Sequence, residues 1–313
     1  MAEVGLVITG PTASGKTALS IAVAERLGGE IISMDSRQVV CGMNIGTAKP
    51  SSEERRGIPH HGLDVVGPAE RYSAGAFARD ARRWIEAIRA RDRVPVLVGG
   101  TGFFLRALSE PLFAEPPLDP VRRERLRQYL ATLSAVELDH WLLRLDPDAG
   151  ARLRRQGGRQ RRLRVLEMVL LTGRTLDWWH HNARPLAPAL DLFVFVLELP
   201  RRELYRRIDD RVHAMVRAGL VEEVQGLLAA GLSVRDPAFS ATGYPEIAAY
   251  LEGRCTLADA VEAIQRATRR YARRQITWFR HQLPAHAVRI DAAQAPEQLA
   301  ARIVDHWRRT EET

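Results

Sequence analysis

The chain has 313 residues, 46% of them hydrophobic, enough to bury a sizeable core as one large domain plus a smaller one. No apolar run approaches the roughly 18 residues of a membrane span. The first strand-like run starts at Val4, and the two cysteines, Cys41 and Cys255, stand isolated, so a membrane anchor, a leader peptide, a disulfide framework and a zinc finger are not expected and a cytoplasmic protein is.

Residues 4–9 read as a short buried strand. They run into Gly10-Pro11-Thr12-Ala13-Ser14-Gly15-Lys16-Thr17, which fits G-x-x-x-x-G-K-[ST], and a helix is predicted over 17–27. In that strand–loop–helix setting the loop Gly10 to Thr17 curls around a diphosphate, its glycines letting backbone N–H groups face the phosphates, and the helix N-terminus adds partial positive charge. Lys16 reaches the outer phosphate and Thr17 offers its hydroxyl to Mg²⁺. Only two of the 46 basic residues are lysines, Lys16 and Lys49. A lysine kept in so arginine-rich a chain points to a site that needs a compact ammonium rather than a planar fork.

A second strand, 30–34, ends at Asp35-Ser36-Arg37-Gln38. Asp35 then lies beyond a strand's carboxyl end, beside the phosphate loop, where it suits a general base or a water-mediated Mg²⁺ ligand; a turn carboxylate explains it equally. The loop 43–50, with His60-His61 and Asp64 after it, has the polar content of a substrate wall, and adjacent histidines seldom aim at one metal ion. A helix over 73–91 and a strand over 94–98 lead to Gly99-Gly100-Thr101-Gly102, a tight turn or a loop that presents the Thr101 hydroxyl at the sheet edge. No acid closes that strand, so the usual Mg²⁺-supporting aspartate of nucleotide hydrolases is missing there.

Prolines 111, 116, 117 and 120 mark a break. The Arg-rich helical stretch beyond it carries nine arginines (152, 154, 155, 159, 161, 162, 164, 174 and 184) between 151 and 184 against Glu167 and Asp177, a local charge of +7 within a total of +8. A segment so uniform in sign suits a polyanion. Pro185 and Pro188 precede a return to apolar strand at 192–197, so the middle reads as an insertion. Helices are predicted over 201–218, 220–230, 244–252, 256–281 and 296–309. The stretch 268–280 interleaves arginines with Tyr271, Trp278 and Phe279, which fits a nucleic-acid surface and an amphipathic core helix equally.

The ordered set of these motifs, with Gly46-Thr47-Ala48-Lys49-Pro50, Gln160-Arg161-Arg162 to Glu167, Gly243-Tyr244 and Tyr271 to Arg280, resembles the bacterial tRNA dimethylallyltransferase (tRNA isopentenyltransferase) family over the whole chain. The resemblance implies an α/β fold, a P-loop NTPase-like parallel sheet flanked by helices, with residues 1–115 and 186–313 as the catalytic core and 116–185 as an inserted all-helical tRNA-binding domain. It implies transfer of a dimethylallyl group from dimethylallyl diphosphate to the N6 amine of the adenosine 3′ to the anticodon, position 37, with Mg²⁺ as cofactor. Its catalytic residues map onto Asp35 as base, Thr101, Lys16 and Arg211, and its metal ligand onto Thr17. Its contacts to the tRNA anticodon stem-loop map onto Asp35, Ser36, Arg37 and Gln38, onto Thr101 and Arg123, onto Gln160, Arg161, Arg162, Leu163 and Arg164, and onto Gly243 and Tyr244. A monomer is expected. A small-molecule P-loop kinase would share the first motif and depend on ATP, whereas a prenyltransferase acting on free adenine nucleotides would share the active site but lack the Arg-rich insertion.

Overall fold

The computed structural model describes residues 4–110, 112–185 and 187–311. Contacts divide it into two compact units, Met1–Glu110 with Leu190–Thr313, and Pro111–Ala189.

In the first unit, apolar runs too short for helices become strands. Leu6, Val7 and Ile8 in β1 (Val4–Thr9) are fully buried, as expected of a strand covered on both faces. β1 lies between β4 (Pro95–Gly99) and β5 (Asp191–Glu198) in a six-stranded parallel sheet. Outside β4 lie β2 (Glu30–Ser33) and then β3 (His60–His61), and outside β5 lies β6 (Val288–Asp291), giving the order β3-β2-β4-β1-β5-β6. The two edge strands were not predicted. β3 has only two residues and β6 only four, too short for an alternation to stand out.

Helices α1 (Lys16–Leu27) and α13 (Pro296–Glu311) cover one core, in which Leu19, Ile21 and Val23 meet Leu299, Ile303 and Trp307. α2 (Ala74–Arg89) is capped by the Ser73 side chain, and α3 (Gly102–Ser109) follows the β4 turn. A second core joins α9 (Arg201–Arg217), α10 (Leu220–Ala229), α11 (Tyr244–Leu251) and the first half of α12 (Leu257–Gln282) around Val212, Val224, Phe239, Tyr244 and Ile264. The five helices predicted beyond residue 200 are all present.

The second unit is helical throughout: α4 (Pro120–Thr132), α5 (Ala135–Leu145), α6 (Pro147–Gln156), α7 (Arg159–Thr172) and α8 (Leu176–Asn182). Four of the five helices have a local start signal; α7 begins at Gly158 without a side-chain cap. Asp119 and Asp146 cap helices that open on proline, Ser134 forms a capping box with Glu137, and Thr175 caps α8. Leu130, Leu138, Leu142, Leu153 and Leu166 form its core. The boundaries fall outside the predicted 116–185. The Phe113–Pro185 bridge and the Ala114 N–H to Arg184 carbonyl bond (2.9 Å) pair the two connecting segments and make them part of this unit. Pro111, named in the predicted break, lies outside the described residues.

Candidate active site

Parallel strands deliver their following loops to one edge of a sheet. Here the loops after β1, β2 and β4 and the helix after β5 meet around a cleft of about 570 Å³ lined by Thr12, Ala13, Gly15, Lys16, Thr17, Asp35, Gln38, Arg207, Arg211, Tyr271 and Gln275, among others. A second cavity of about 230 Å³ shares Thr12, Ala13, Asp35, Thr47, Arg211 and Tyr271 with it, and adds Ser36, Arg37, Ser240, Gly243 and Arg274 together with Ile208, Val212, Met215 and Leu220.

The phosphate loop has the backbone its sequence demands. Gly15 has φ +93°, in the left-handed region, and Ala13 adopts φ +62°, uncommon for a residue with a Cβ. Thr12, Ala13, Gly15, Lys16 and Thr17 face the cleft, whereas Gly10, Pro11 and Ser14 are buried behind it. Ser14 carries a buried hydroxyl without a protein partner. Lys16 Nζ donates to the carbonyls of Gly10 (2.9 Å) and Pro11 (2.7 Å). Burial of this ammonium and the nearby Arg211 lower its pKa to about 7, with Asp35 pulling the other way. Two cations are therefore held close together in a confined space, and an anionic ligand relieves both penalties.

Arg211 stands on α9 with Nη1 3.4 Å from the Thr12 hydroxyl, and burial pulls its pKa below the ordinary arginine value. One turn earlier Arg207, held by Glu203 at 2.7 Å, lines the same cleft. Sequence reading missed Arg207, although its i, i+4 spacing from Arg211 places both on one helix face.

Asp35 Oδ1 accepts from the N–H groups of Arg37 (2.8 Å) and Gln38 (3.4 Å). It is thus both a turn carboxylate and a cleft residue, and the two readings of it are compatible. The Thr101 hydroxyl accepts from the Ser36 N–H at 3.1 Å, which ties the β4 loop to the β2 loop. Burial and the nearby Asp35 push the phenol of Tyr271 up to about 12. Arg37 reaches the Ser240 hydroxyl at 2.8 Å. Gln38 accepts from Ser33 and donates to the carbonyls of Thr47 and Ala48, so it braces a cleft wall.

Several expected contact residues are placed otherwise. Tyr244 is fully buried, its hydroxyl donating to Glu223 at 2.7 Å, and offers no surface for RNA; only Gly243 beside it lines a cavity. Lys49 is 9% exposed and pairs with Asp64 at 2.6 Å while donating to the Val40 carbonyl, so the second lysine is a strut of the loop rather than a phosphate ligand. His61 pairs with Glu30 at 2.7 Å and His60 bonds the Ile58 carbonyl; among the described residues no group of three His, Cys, Asp or Glu could hold a metal. The 268–280 stretch proves to be a core helix with a basic outer face, burying Ala272, Gln275 and Phe279.

In the helical unit Gln160 and Arg161 are exposed, whereas Leu163 packs into the core. Arg162 is spent on Asp139 (2.6 Å) and the carbonyls of Gly157 and Leu153. Arg123, Arg127 and Arg164 converge on buried Glu167 at 2.7, 2.6 and 3.0 Å. Burial works against the charge on Glu167, yet Arg127 and Arg123 hold its carboxyl below the ordinary value. Three guanidinium groups are thus fixed side by side, each still partly exposed.

Glu223, also unforeseen, organises the cleft wall. Its carboxylate accepts from three successive N–H groups, Asn44 (2.8 Å), Ile45 (2.7 Å) and Gly46 (3.1 Å), and from Tyr244. A side chain at Gly46 would stand 2.5 Å from the Tyr244 ring. Glu223→Ala is expected to cost about 2–4 kcal/mol, since it leaves several donors unpaired. Urea denaturation measures this, and a loss below about 1 kcal/mol would show that water replaces the carboxylate.

Residues 38–282 match the IPP transferase family model, and residues 4–64 match that of isopentenyl transferase. The chain is 46% identical to tRNA dimethylallyltransferase 1 of Trichlorobacter lovleyi over 88% of this chain and 90% of that one. It is 42% identical to the tRNA dimethylallyltransferase of Geobacillus thermodenitrificans over 98% of this chain and 96% of that one. Among solved structures it is similar to the tRNA isopentenylpyrophosphate transferase of Bacillus halodurans (TM-score 0.70, 34% identity, 99% of this chain and 100% of that one). It is also similar to a eukaryotic dimethylallyltransferase acting on tRNA (TM-score 0.82, 26% identity, 98% of this chain and 80% of that one). With the family model matching most of its length and relatives more than 40% identical over nearly all of it, the chain belongs to the tRNA dimethylallyltransferase family of prenyl-transferring enzymes.

Proposed function

We propose that this enzyme transfers a dimethylallyl group from dimethylallyl diphosphate to N6 of the adenosine 3′ to the tRNA anticodon, position 37. The observation that carries the reading is one cleft holding a phosphate loop with two partly buried cations, an aspartate, and Thr101 tied to the aspartate's own loop. The alternative acceptors have less support, because neither a free nucleotide nor a small metabolite calls for a separate unit with exposed Gln160 and Arg161.

In the reaction the bond from the allylic carbon to the diphosphate oxygen breaks as the N6–carbon bond forms, the electron pair leaves on diphosphate, and one N6 proton must go. An exocyclic adenine amine is a poor nucleophile because its lone pair is delocalised, so stabilising the leaving group is the dominant requirement. Lys16, Arg211, Arg207 and the amides of the phosphate loop face that charge. Asp35 accepts the amine proton, and Thr101 orients the amine. The apolar side chains of the second cavity, Ile208, Val212 and Leu220, suit the hydrocarbon end of the donor. The target adenine leaves its stack to enter the cleft.

The Thr17 hydroxyl offers a hard cation an oxygen donor in the cleft; a magnesium ion held there would take its remaining ligands from diphosphate and water. Mg²⁺ would supply further neutralisation of the departing diphosphate. Among the described residues no helix is long and apolar enough to cross a membrane. The enzyme works as a cytoplasmic monomer on tRNA in this reading.

Arg161→Ala is expected to weaken tRNA binding and to lower the slope of log affinity against log salt by about 1, whereas Arg162→Ala chiefly destabilises the helical unit. Binding titrations at several salt concentrations test this, and an unchanged slope in the Arg161 variant would move the RNA surface elsewhere. The activity itself is tested by incubating the enzyme with Mg²⁺, dimethylallyl diphosphate and an unmodified anticodon stem-loop, with AMP and ATP as parallel acceptors, followed by nucleoside mass spectrometry. Dimethylallyl adenosine in the RNA alone supports the proposal; transfer to AMP or ATP, or to none, overturns it.

A further inference from the structure

One buried amide links the two halves of this cleft. Gln275, in the middle of α12, is only 6% exposed. Its Oε1 accepts from the Thr12 N–H of the phosphate loop at 2.9 Å, and its Nε2 donates to the Gly100 carbonyl of the β4 loop at 2.9 Å. The two partners dictate the side chain: a backbone N–H on one side and a carbonyl on the other can both be met by a carboxamide, in one orientation only. A carboxylate would set an acceptor against the Gly100 carbonyl, and an aliphatic chain would meet neither group.

The loop has yielded to the helix at two places. A Cβ on Gly100 would stand 2.4 Å from Gln275 Nε2, and a Cβ on Gly102 would stand 2.4 Å from the Trp278 ring. One turn before Gln275, Tyr271 lines both cavities. Residues 271, 275 and 278 thus form one helical stripe pressed on the β4 loop, and only Gln275 of the three reaches across to the phosphate loop.

We propose that Gln275 is a positioning residue for prenyl transfer, holding the phosphate loop and the Thr101 loop at one fixed separation so that the allylic carbon meets the attacking amine. The inference rests on the reading given under Proposed function, in which the phosphate loop holds the donor and the Thr101 loop the acceptor. It also removes the Thr12 N–H from the amides available to the diphosphate, since that group is already committed to Gln275. Displacement of a bound substrate by about 1 Å can cost on the order of 100-fold in rate without loss of affinity, because near-attack geometry is far more sensitive than binding.

The test uses the full chain, with Gln275→Met to remove both bonds and Gln275→Glu to keep the acceptor while reversing the donor. For each variant, single-turnover transfer to an anticodon stem-loop is measured at saturation with both substrates, and the affinity for each substrate is measured separately. The expected result is a fall in the single-turnover rate of about 10–100-fold with both affinities within about threefold of wild type, Gln275→Glu being at least as slow as Gln275→Met. Should Gln275→Met fail to fold, Gly100→Ala, which crowds Gln275 without removing it, gives the same readout. The Gly100→Ala and Gln275→Glu effects should then fall short of adding in the double variant. An unchanged rate at saturation, or a loss confined to donor affinity, overturns the inference and leaves Gln275 as support for the phosphate loop alone. Absence of transfer by the wild-type enzyme would instead overturn the proposed function.

Discussion

Asp35→Asn is expected to lower kcat by about 10²–10⁴-fold, the usual worth of a general base, while tRNA affinity stays within about threefold. Asparagine is the informative substitution because Oδ1 of Asp35 accepts from Arg37 N–H at 2.8 Å and from Gln38 N–H at 3.4 Å, and an amide oxygen can keep both bonds. The turn therefore survives and only the proton acceptor is lost. Donor affinity should hold or improve, since a negative charge that faces Lys16 and Arg211 has been removed from the neighbourhood of an anionic diphosphate. Steady-state kinetics with both substrates, beside direct tRNA binding, separates the two effects. An equal fall in kcat and in tRNA affinity would make Asp35 a binding or folding residue and sink its assignment as the base.

Lys16→Met should be as damaging, by about 10²–10³-fold in kcat/KM, since it removes a charge aimed at the leaving group. The pKa of about 7 gives the effect a pH signature. In the ligand-free enzyme Lys16 is charged below that value and loses its proton above it, whereas a bound diphosphate favours the ammonium. Above pH ~7 the enzyme must then take up a proton to bind donor, and donor affinity falls by up to tenfold per pH unit. Below pH ~7 Lys16 contributes no slope. For folding the sign is opposite: the unfolded chain, with an ordinary lysine, binds the extra proton between pH ~7 and ~10.5, so stability rises with pH across that window. Titration calorimetry with the diphosphate in metal-free buffers of differing ionisation enthalpy measures the uptake. Lys16→Met should abolish it, and uptake unchanged in that variant would assign the proton to another group.

The parts of the site that sequence made plain are those built from neighbouring residues. A glycine-bearing loop between a strand and a helix is a local object, so Gly10 to Thr17, the glycines before Thr101, and Asp35 at a strand's end could be placed beside one another from the alternation of strands and helices alone. Four of the five helix starts in the Arg-rich insertion are equally local, marked by a Ser, Thr or Asp cap, whereas α7 begins at Gly158 without a side-chain cap. Tertiary structure decided what those motifs do not encode. Gln275 and Thr12 are 263 positions apart, and the amide stood inside a string whose arginines and aromatics drew attention outward. Glu223 meets three N–H groups almost as remote in sequence. Tyr244 and Leu163 belong to motifs of the family yet point into cores, and Arg162 answers to Asp139 and two carbonyls, because membership in a motif does not say which way a side chain faces. Chain-local geometry gave the phosphate loop, its helix and the four central strands; the strand order, burial, ion pairing and the meeting of distant hydrogen-bonding groups, which depend on the packed whole, decided which residues face substrate and which hold them there.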